Sequence, residues 1–381
     1  MKNNPMNEFP LMDTDEGIVL FHPHIPKNVK QHVSEVLSTR WLGQGPKVLE
    51  FEKQFTQKYG KNGASVAVGS GTDALHLAYI LCDLKPGDEV IVPLFTCTAT
   101  NIPLLYMGVT IRFADVQSNT FNIDPKAVES LITSKTKAIV CVHYGGLPCD
   151  MDELQAIASK HNIPIIEDAA HALGATYKGK IVGEMSDFTM FSFQAIKHIT
   201  TGDGGMLIVK NQQLKEKADR IRWFGIDRSS KQKGIWENDI TEIGYKYQMT
   251  DIAAAMGLEG LAEIDEVLVH RRRLFAKYCE LLKSNPDVSI IGNEYTDREH
   301  AAWLFTVLVD KRADLMKKLR ENGIESGQVH YRNDRYSIFG GRKDCYPNMD
   351  ALENRYLVLP LHTRIGIEQV ETICNVIKTG W

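Results

Sequence analysis

Apolar positions along this chain follow two rhythms. Up to residue 60 they recur every three or four residues: Val29, Val33 and Val36, then Val48, Phe51, Phe55 and Tyr59, with Gly60 as a stop signal. That spacing predicts helix through 27–60, because side chains three and four apart share one face. After it come short β-branched runs at 65–68, 89–95, 109–114, 138–143, 164–167, 189–193 and 206–209. Helical segments beginning at Asp73 and Met151 separate several of them. Such alternation predicts an α/β fold, a mostly parallel central sheet with helices on both faces. From Thr250 the rhythm turns to one long helix. Weaker strands follow at 301–309 and 356–360, with amphipathic helices at 312–322 and 367–378. The expected division is a large α/β domain over 1–250 and a smaller α+β domain over 251–381. No repeat and no low-complexity tract interrupts the pattern, which argues against a solenoid or a disordered tail.

Composition changes this picture little. The 381 residues can bury a large core. Lys and Arg number 44 against 48 Asp and Glu, a net charge of −4, and no basic run offers a nucleic-acid groove. No stretch stays apolar for the ~18 residues a membrane span needs. The amino terminus, MKNNPMNEFPLMDTDEG, carries polar and acidic residues where a signal peptide needs an apolar segment. The seven cysteines are scattered, with no C-x-x-C pair. Reduced thiols in a cytoplasm are expected, without a disulfide framework or a zinc site. His22-Pro-His24 is too rigid and too poor in further ligands to make a metal site.

Three stretches carry candidate chemistry, each at the end of a run read as a strand. In Val66-Ala-Val-Gly-Ser-Gly71-Thr72-Asp73 a strand meets glycines and opens a helix, offering backbone N–H groups to a phosphate. Its G-x-G-x-x-A order mimics a dinucleotide fingerprint. That motif needs an acid at the carboxyl end of the next strand, and Asp88 and Glu89 stand at the other end. By itself the turn is as readily a helix cap. In Ile165-Ile-Glu167-Asp168-Ala-Ala-His171 two carboxylates close an apolar run, where ligand sites of open α/β sheets lie. The plain alternative is a helix N-cap by Asp168. In Phe191-Ser192-Phe-Gln-Ala-Ile-Lys197 a lysine follows an apolar run and precedes the Gly-rich turn at 202–205; alone it reads as a loop lysine. Together, a phosphate cradle, a buried acid and a lysine fit one cofactor, pyridoxal 5′-phosphate. Lys197 would capture its aldehyde, Asp168 would keep its pyridine nitrogen protonated, and the cradle would hold its phosphate.

The ordered motifs SGTDAL, VPLFTCTAT, FADV, VHYGGLPCDMD, EDAAHALGA, FSFQAIKHITTGDGGM, RWFGIDR and GYKYQMTDIAAAMGLEGL resemble those of the DegT/DnrJ/EryC1/StrS sugar aminotransferases. The resemblance spans roughly 25–375. It implies fold type I of the pyridoxal-phosphate enzymes and a homodimer with shared active sites. The implied reaction moves an amino group from L-glutamate, released as 2-oxoglutarate, to a nucleotide-linked 4-keto- or 3-keto-6-deoxy hexose. The resemblance also places the aldehyde-capturing lysine at Lys197 and the pyridine-nitrogen acid at Asp168. Phosphate contacts fall at Gly71, Thr72, the amide of Asp73, and Ser192. His171 lies beside the phenolic oxygen, where relatives commonly have Gln. Cys97 stands where many relatives stack an aromatic on the cofactor ring, which leaves open what covers it. Lys246 or Gln248 stands in the segment that gives the partner subunit's phosphate an Asn. Relatives with His at the lysine position act as dehydratases; here Lys197 keeps that position, and His198 is read as structural. His330, Tyr331 and Arg332 resemble the sugar-nucleotide loop. WLGQGP at 41–46 looks like a further piece of the site, while Arg222, Trp223 and Arg228 are as readily structural. The competing readings are a pyridoxal-phosphate dehydratase of the same fold and a cofactor-binding regulator without activity.

Overall fold

A computed structural model of the chain describes residues 10–61, 63–237 and 239–381. Seven strands form the central sheet: β1 (Ala64–Val68), β2 (Glu89–Pro93), β3 (Thr110–Ala114), β4 (Thr136–Val142), β5 (Ile165–Asp168), β6 (Phe188–Ser192) and β7 (Gly205–Val209). They lie in the order β1-β7-β6-β5-β4-β2-β3. From β6 to β3 all neighbours pair parallel, while β7 is reversed against both β6 and β1. Strands covered on both faces read as continuous apolar runs, which is why the seven runs stood out in the sequence. Successive side chains still divide between layers. Val66 and Val68 join one apolar core and Ala67 the other, as do Val90 and Val92 against Ile91.

Expected boundaries move for identifiable reasons. The helix expected through 27–60 is two helices, Val29–Leu37 and Pro46–Tyr59. The Asp251 carboxylate accepts from the amides of Gly45, Lys47 and Val48 at 2.7, 3.1 and 3.1 Å, and so caps the second helix from far along the chain. Pro46 at its first position needs no amide partner. The run at 89–95 breaks at Leu94, and Phe95–Thr96 pairs instead with Tyr331–Arg332.

The long helix Asp251–Leu282 serves two cores. Near its start, a Cβ on Gly257 or Gly260 would come within 2.7 Å of the Phe51 ring or 2.6 Å of Ile199, so these glycines allow the helix to seat against the large sheet. Towards its end, Leu274, Tyr278 and Leu282 pack into a third core. That core covers a sheet of Val288–Ile290, Phe305–Val309 and Tyr356–Leu359. The strand expected over 301–309 begins only at Phe305. Ala301 and Trp303 instead hydrogen-bond the Gly145-Gly146 turn beyond β4, through amides donating to Gly146 and Gly145 carbonyls at 2.9 Å each. This places Trp303 at the carboxyl edge of the central sheet.

Candidate active site

At that edge β4, β5 and β6 end side by side at Val142, Asp168 and Ser192. The buried Asp168 carboxylate accepts from the Thr100 hydroxyl at 2.7 Å and from the Ala170 amide at 3.1 Å. Thr100 has one proton and gives it to Asp168, so the Thr96 hydroxyl, 2.9 Å away, donates to Thr100. Burial pushes the Asp168 carboxyl above its ordinary range, while Thr100, the Ala170 amide and the charge of Lys197 pull it down. A carboxylate in that balance favours a cation beside it.

Lys197 follows β6, with its Nζ 3.6 Å above the centre of the Trp303 ring. Burial lowers its ammonium to about 8; Arg271 adds to the effect, and Cys97 and Asp168 oppose it. Trp303 is fixed by its indole N–H, which donates to the Ile196 carbonyl at 3.0 Å. His171 stacks on Trp303 with ring centres 3.8 Å apart, and His330 lies parallel to His171 at 5.1 Å. The Gly145 amide donates to His171 Nδ1 at 3.3 Å, which assigns the proton to Nε2, 3.3 Å from His330 Nε2. Burial, helped by the charge of Lys197, holds His171 well below the usual imidazole range and pushes His330 down to about 3. Both rings are neutral at physiological pH.

The phosphate cradle differs in one donor from the expected set. Gly71 opens the helix Gly71–Leu81, whose first-turn amides lack acceptors within the helix. A Cβ on Gly71 would stand 3.0 Å from Ser192 Cβ and 3.2 Å from its Oγ, so the glycine keeps the gap between helix start and β6 open. The Asp73 amide, however, already donates to the Ser70 hydroxyl at 3.0 Å. The donors left at this end among the described residues are the amides of Gly71 and Thr72 with the hydroxyls of Thr72 and Ser192. Burial raises the Asp73 carboxyl to about 6, against hydrogen bonds from Ser70.

Cys97 precedes the helix Thr98–Tyr106 with an exposed thiol, and Trp303 is the aromatic that covers the amine. Lys246 is exposed, its Nζ 3.8 Å over its own Trp223 ring, while Gln248 Oε1 is buried without a partner among the described residues. His198 donates to the Ala301 carbonyl at 2.8 Å. Arg222 is spent on Glu52, Asp219 and the Ala67 carbonyl. His24 turns to Glu263 at 2.8 Å and His22 to Arg364 at 2.9 Å, so they do not converge.

Arg332 requires a correction. Expected as a substrate reader, it is buried, with Nε and Nη2 donating to Asp334 at 2.7 and 2.9 Å and Nη2 also to the Lys343 carbonyl at 2.8 Å. Nη1 takes Asp350 and, at 3.4 Å, Glu353. No donor of the guanidinium remains for a substrate; its work is to fold the loop that carries His330. Breaking such a buried pair leaves carboxylates uncompensated, so Arg332→Ala should cost about 3–5 kcal/mol. A thermal unfolding scan checks this, and an unchanged midpoint would contradict the assignment. Sequence reading missed Trp303, Thr96, Thr100 and also Asn333, whose amide nitrogen donates to the Thr96 carbonyl at 2.7 Å. The TCTAT stretch carried a signal, two threonines at i and i+4.

Comparison with known proteins gives first the class. The sugar aminotransferase CalS13 from Micromonospora echinospora superposes with a TM-score of 0.90 at 32% identity, covering 96% of this chain and 100% of that one. Spr1654 from Streptococcus pneumoniae, in its PLP form, gives 0.89 at 30% identity over 95% and 98% of the two chains. The fold is that of the pyridoxal-phosphate-dependent sugar aminotransferases. The model of the DegT/DnrJ/EryC1/StrS aminotransferase family matches residues 23–378, and the chain belongs to that family. GDP-perosamine synthase from Caulobacter vibrioides is 38% identical over 321 residues, covering 81% of this chain and 83% of its own. The spore coat polysaccharide biosynthesis protein SpsC of Bacillus subtilis is 35% identical over 374 residues, 93% and 95% of the two chains. The protein is thus a transaminase that uses pyridoxal phosphate. Its sheet edge fits the group: a buried acid that favours a cation, an amine of lowered basicity, and a helix start kept open by glycine.

Proposed function

We propose that the enzyme transfers the amino group of L-glutamate to the ketone of a nucleotide-linked keto-6-deoxy hexose, as a cytoplasmic homodimer. The observation that carries this reading is the Lys197 amine, lowered to about 8 by burial and within reach of the Asp168 charge. When bound, the cofactor supplies an electron sink for the bond broken at the donor's Cα. The chain's own side chains do the rest. Lys197 Nζ would hold the cofactor by its aldehyde and, when freed, would act as base and acid at the donor's Cα. Asp168 holds a proton on the ring nitrogen. Gly71, Thr72 and Ser192 bind the phosphate, and His171 presents its Nε2 proton to the phenolic oxygen. Lys246 or Gln248 of a second copy of the chain would meet the phosphate. Earlier in the same stretch of chain, Phe224, Trp236, Ile240 and Ile243 are exposed apolar side chains of the kind a homodimer interface covers. His330 and Tyr331 stand on the sugar's side.

The test is a split reaction. Protein loaded with cofactor and given L-glutamate alone should release 2-oxoglutarate in proportion to cofactor. A panel of dTDP-, UDP- and GDP-linked ketosugars should then yield amino sugar from one nucleotide series. Loss of a sugar hydroxyl with no 2-oxoglutarate would replace the reading by dehydration.

A further inference from the structure

Arg271, on the long helix Asp251–Leu282, is buried against the turn that presents Trp303 to Lys197. Its Nη1 donates to the Leu361 carbonyl at 2.8 Å and to the Ala302 and Trp303 carbonyls at 3.2 and 3.4 Å. Nη1 has two protons, so the two longer bonds share one of them. Ala302, also buried, stands at φ +54°, a left-handed conformation that is unfavourable for a residue with a Cβ. Such a conformation persists only where its surroundings fix it. Here both sides of the residue are fixed: the Ala302 amide donates to His300 Nδ1 at 2.7 Å, and its carbonyl takes Arg271. From that turn Trp303 reaches the amine, which lies 3.6 Å from its ring centre.

A buried cation ordinarily has an acid beside it. Arg271 has none at ion-pair distance among the described residues: its acceptors are neutral carbonyls, and its Nε is buried without a partner. Burial lowers the guanidinium to about 10, which leaves it charged at neutral pH. Carbonyl dipoles satisfy its protons but do not cancel its charge, which therefore acts on its neighbours. Burial and then Arg271 hold His198 well below the usual imidazole range, and the same two causes bring His362 to about 4, against the Val19 carbonyl. At Lys197 Arg271 adds to burial, while Cys97 and Asp168 oppose it. The imidazoles of His171, His198 and His330, which also feel the Lys197 charge, are neutral at physiological pH.

We infer that Arg271 is a positioning residue for the amine: its hydrogen bonds hold the turn that seats Trp303 over Lys197, and its unpaired charge favours the neutral, nucleophilic form of that lysine. The inference deepens the aminotransferase reading and rests on it. Arg271→Gln and Arg271→Met both remove the charge, and Met leaves no polar group buried in its place should the Gln variant not fold. In cofactor-free enzyme the pH midpoint for cofactor uptake should rise from near 8 by about 0.5–1 pH unit, an uptake about 3- to 10-fold slower at pH 7. Labelling of Lys197 by formaldehyde and a reductant, read by mass spectrometry, should move in the same direction with no cofactor present. The sign separates charge from damage. Loosening Trp303 by itself weakens the cation–π contact, which disfavours the ammonium and lowers the midpoint. His300→Leu supplies the control: it removes the other hold on Ala302 but no charge, since burial, helped by Arg272, puts His300 at about 3. That variant should melt at a lower temperature without raising the midpoint. A midpoint unmoved or lowered in the Arg271 variants, or raised equally by His300→Leu, overturns the inference. A wild-type enzyme that takes up cofactor but releases no 2-oxoglutarate from glutamate would instead sink the aminotransferase reading, while a raised midpoint would still uphold the effect of Arg271 on Lys197.

Discussion

Lys197→Ala should lower turnover by about 10³-fold or more, because one side chain both captures the cofactor and moves the substrate proton. The variant should also lose the visible absorption of lysine-bound cofactor. Wild-type behaviour with pH supplies a second check on the same group. The cation–π contact with Trp303, worth about 1–2 kcal/mol in a desolvated setting, favours the ammonium form. Burial works against it and prevails, since Lys197 lies at about 8. The sign follows: a lowered lysine gives up its proton earlier as pH rises, and the neutral amine is the nucleophile. The rate of cofactor uptake by cofactor-free enzyme should therefore climb with a midpoint near 8, where an ordinary lysine would give about 10.4. Below that midpoint uptake should fall about ten-fold per pH unit. Normal turnover in the alanine variant, or a midpoint near the ordinary value, removes Lys197 from the role.

What the sequence disclosed and what it withheld divide along a physical line. The strands of the central sheet were legible because burial on both faces leaves long apolar runs, as in Ala138, Ile139, Val140, Cys141 and Val142. The motifs around Asp168 and Lys197 were legible because each sits at the end of such a run, with helix or turn signals close behind. Contacts made across the chain were not. The break between the first two helices depends on Asp251, a distant residue that caps the second helix. Trp303 looked like part of a strand, and only the turn at Gly145 and Gly146 draws it to the amine. Arg332 looked like a ligand for phosphate because an arginine beside tyrosine in a polar loop has that appearance; two of its three acidic partners, Asp350 and Glu353, come from further along the chain. The Ser70 cap on the Asp73 amide is local instead, and Ser followed three residues later by Asp is a capping pattern within the sequence.

Asp168→Asn should lower turnover by about 10²–10³-fold while leaving the cofactor bound and the fold intact. The amide keeps the shape of the carboxylate, and its oxygen can still accept from the Thr100 hydroxyl that Asp168 now engages at 2.7 Å. What disappears is the charge that holds a proton on the ring nitrogen, and with it the ring's capacity to draw electrons from the bond broken at Cα. Stability separates this loss from simple damage. Burial raises the Asp168 carboxyl, so the folded chain holds that proton more tightly than the unfolded one. Ionisation at neutral pH therefore works against the cofactor-free fold, and a neutral side chain relieves that opposition. The cofactor-free variant should unfold at the wild-type temperature or slightly above it at pH 7, and the gap should close in acid as Asp168 itself becomes neutral. An asparagine variant that keeps more than a tenth of wild-type turnover would show that the carboxylate does not serve the ring. One that unfolds several degrees lower would show that the Ala170 amide, which loses its acceptor when Oδ1 becomes an amide nitrogen, outweighs the relief of the buried charge.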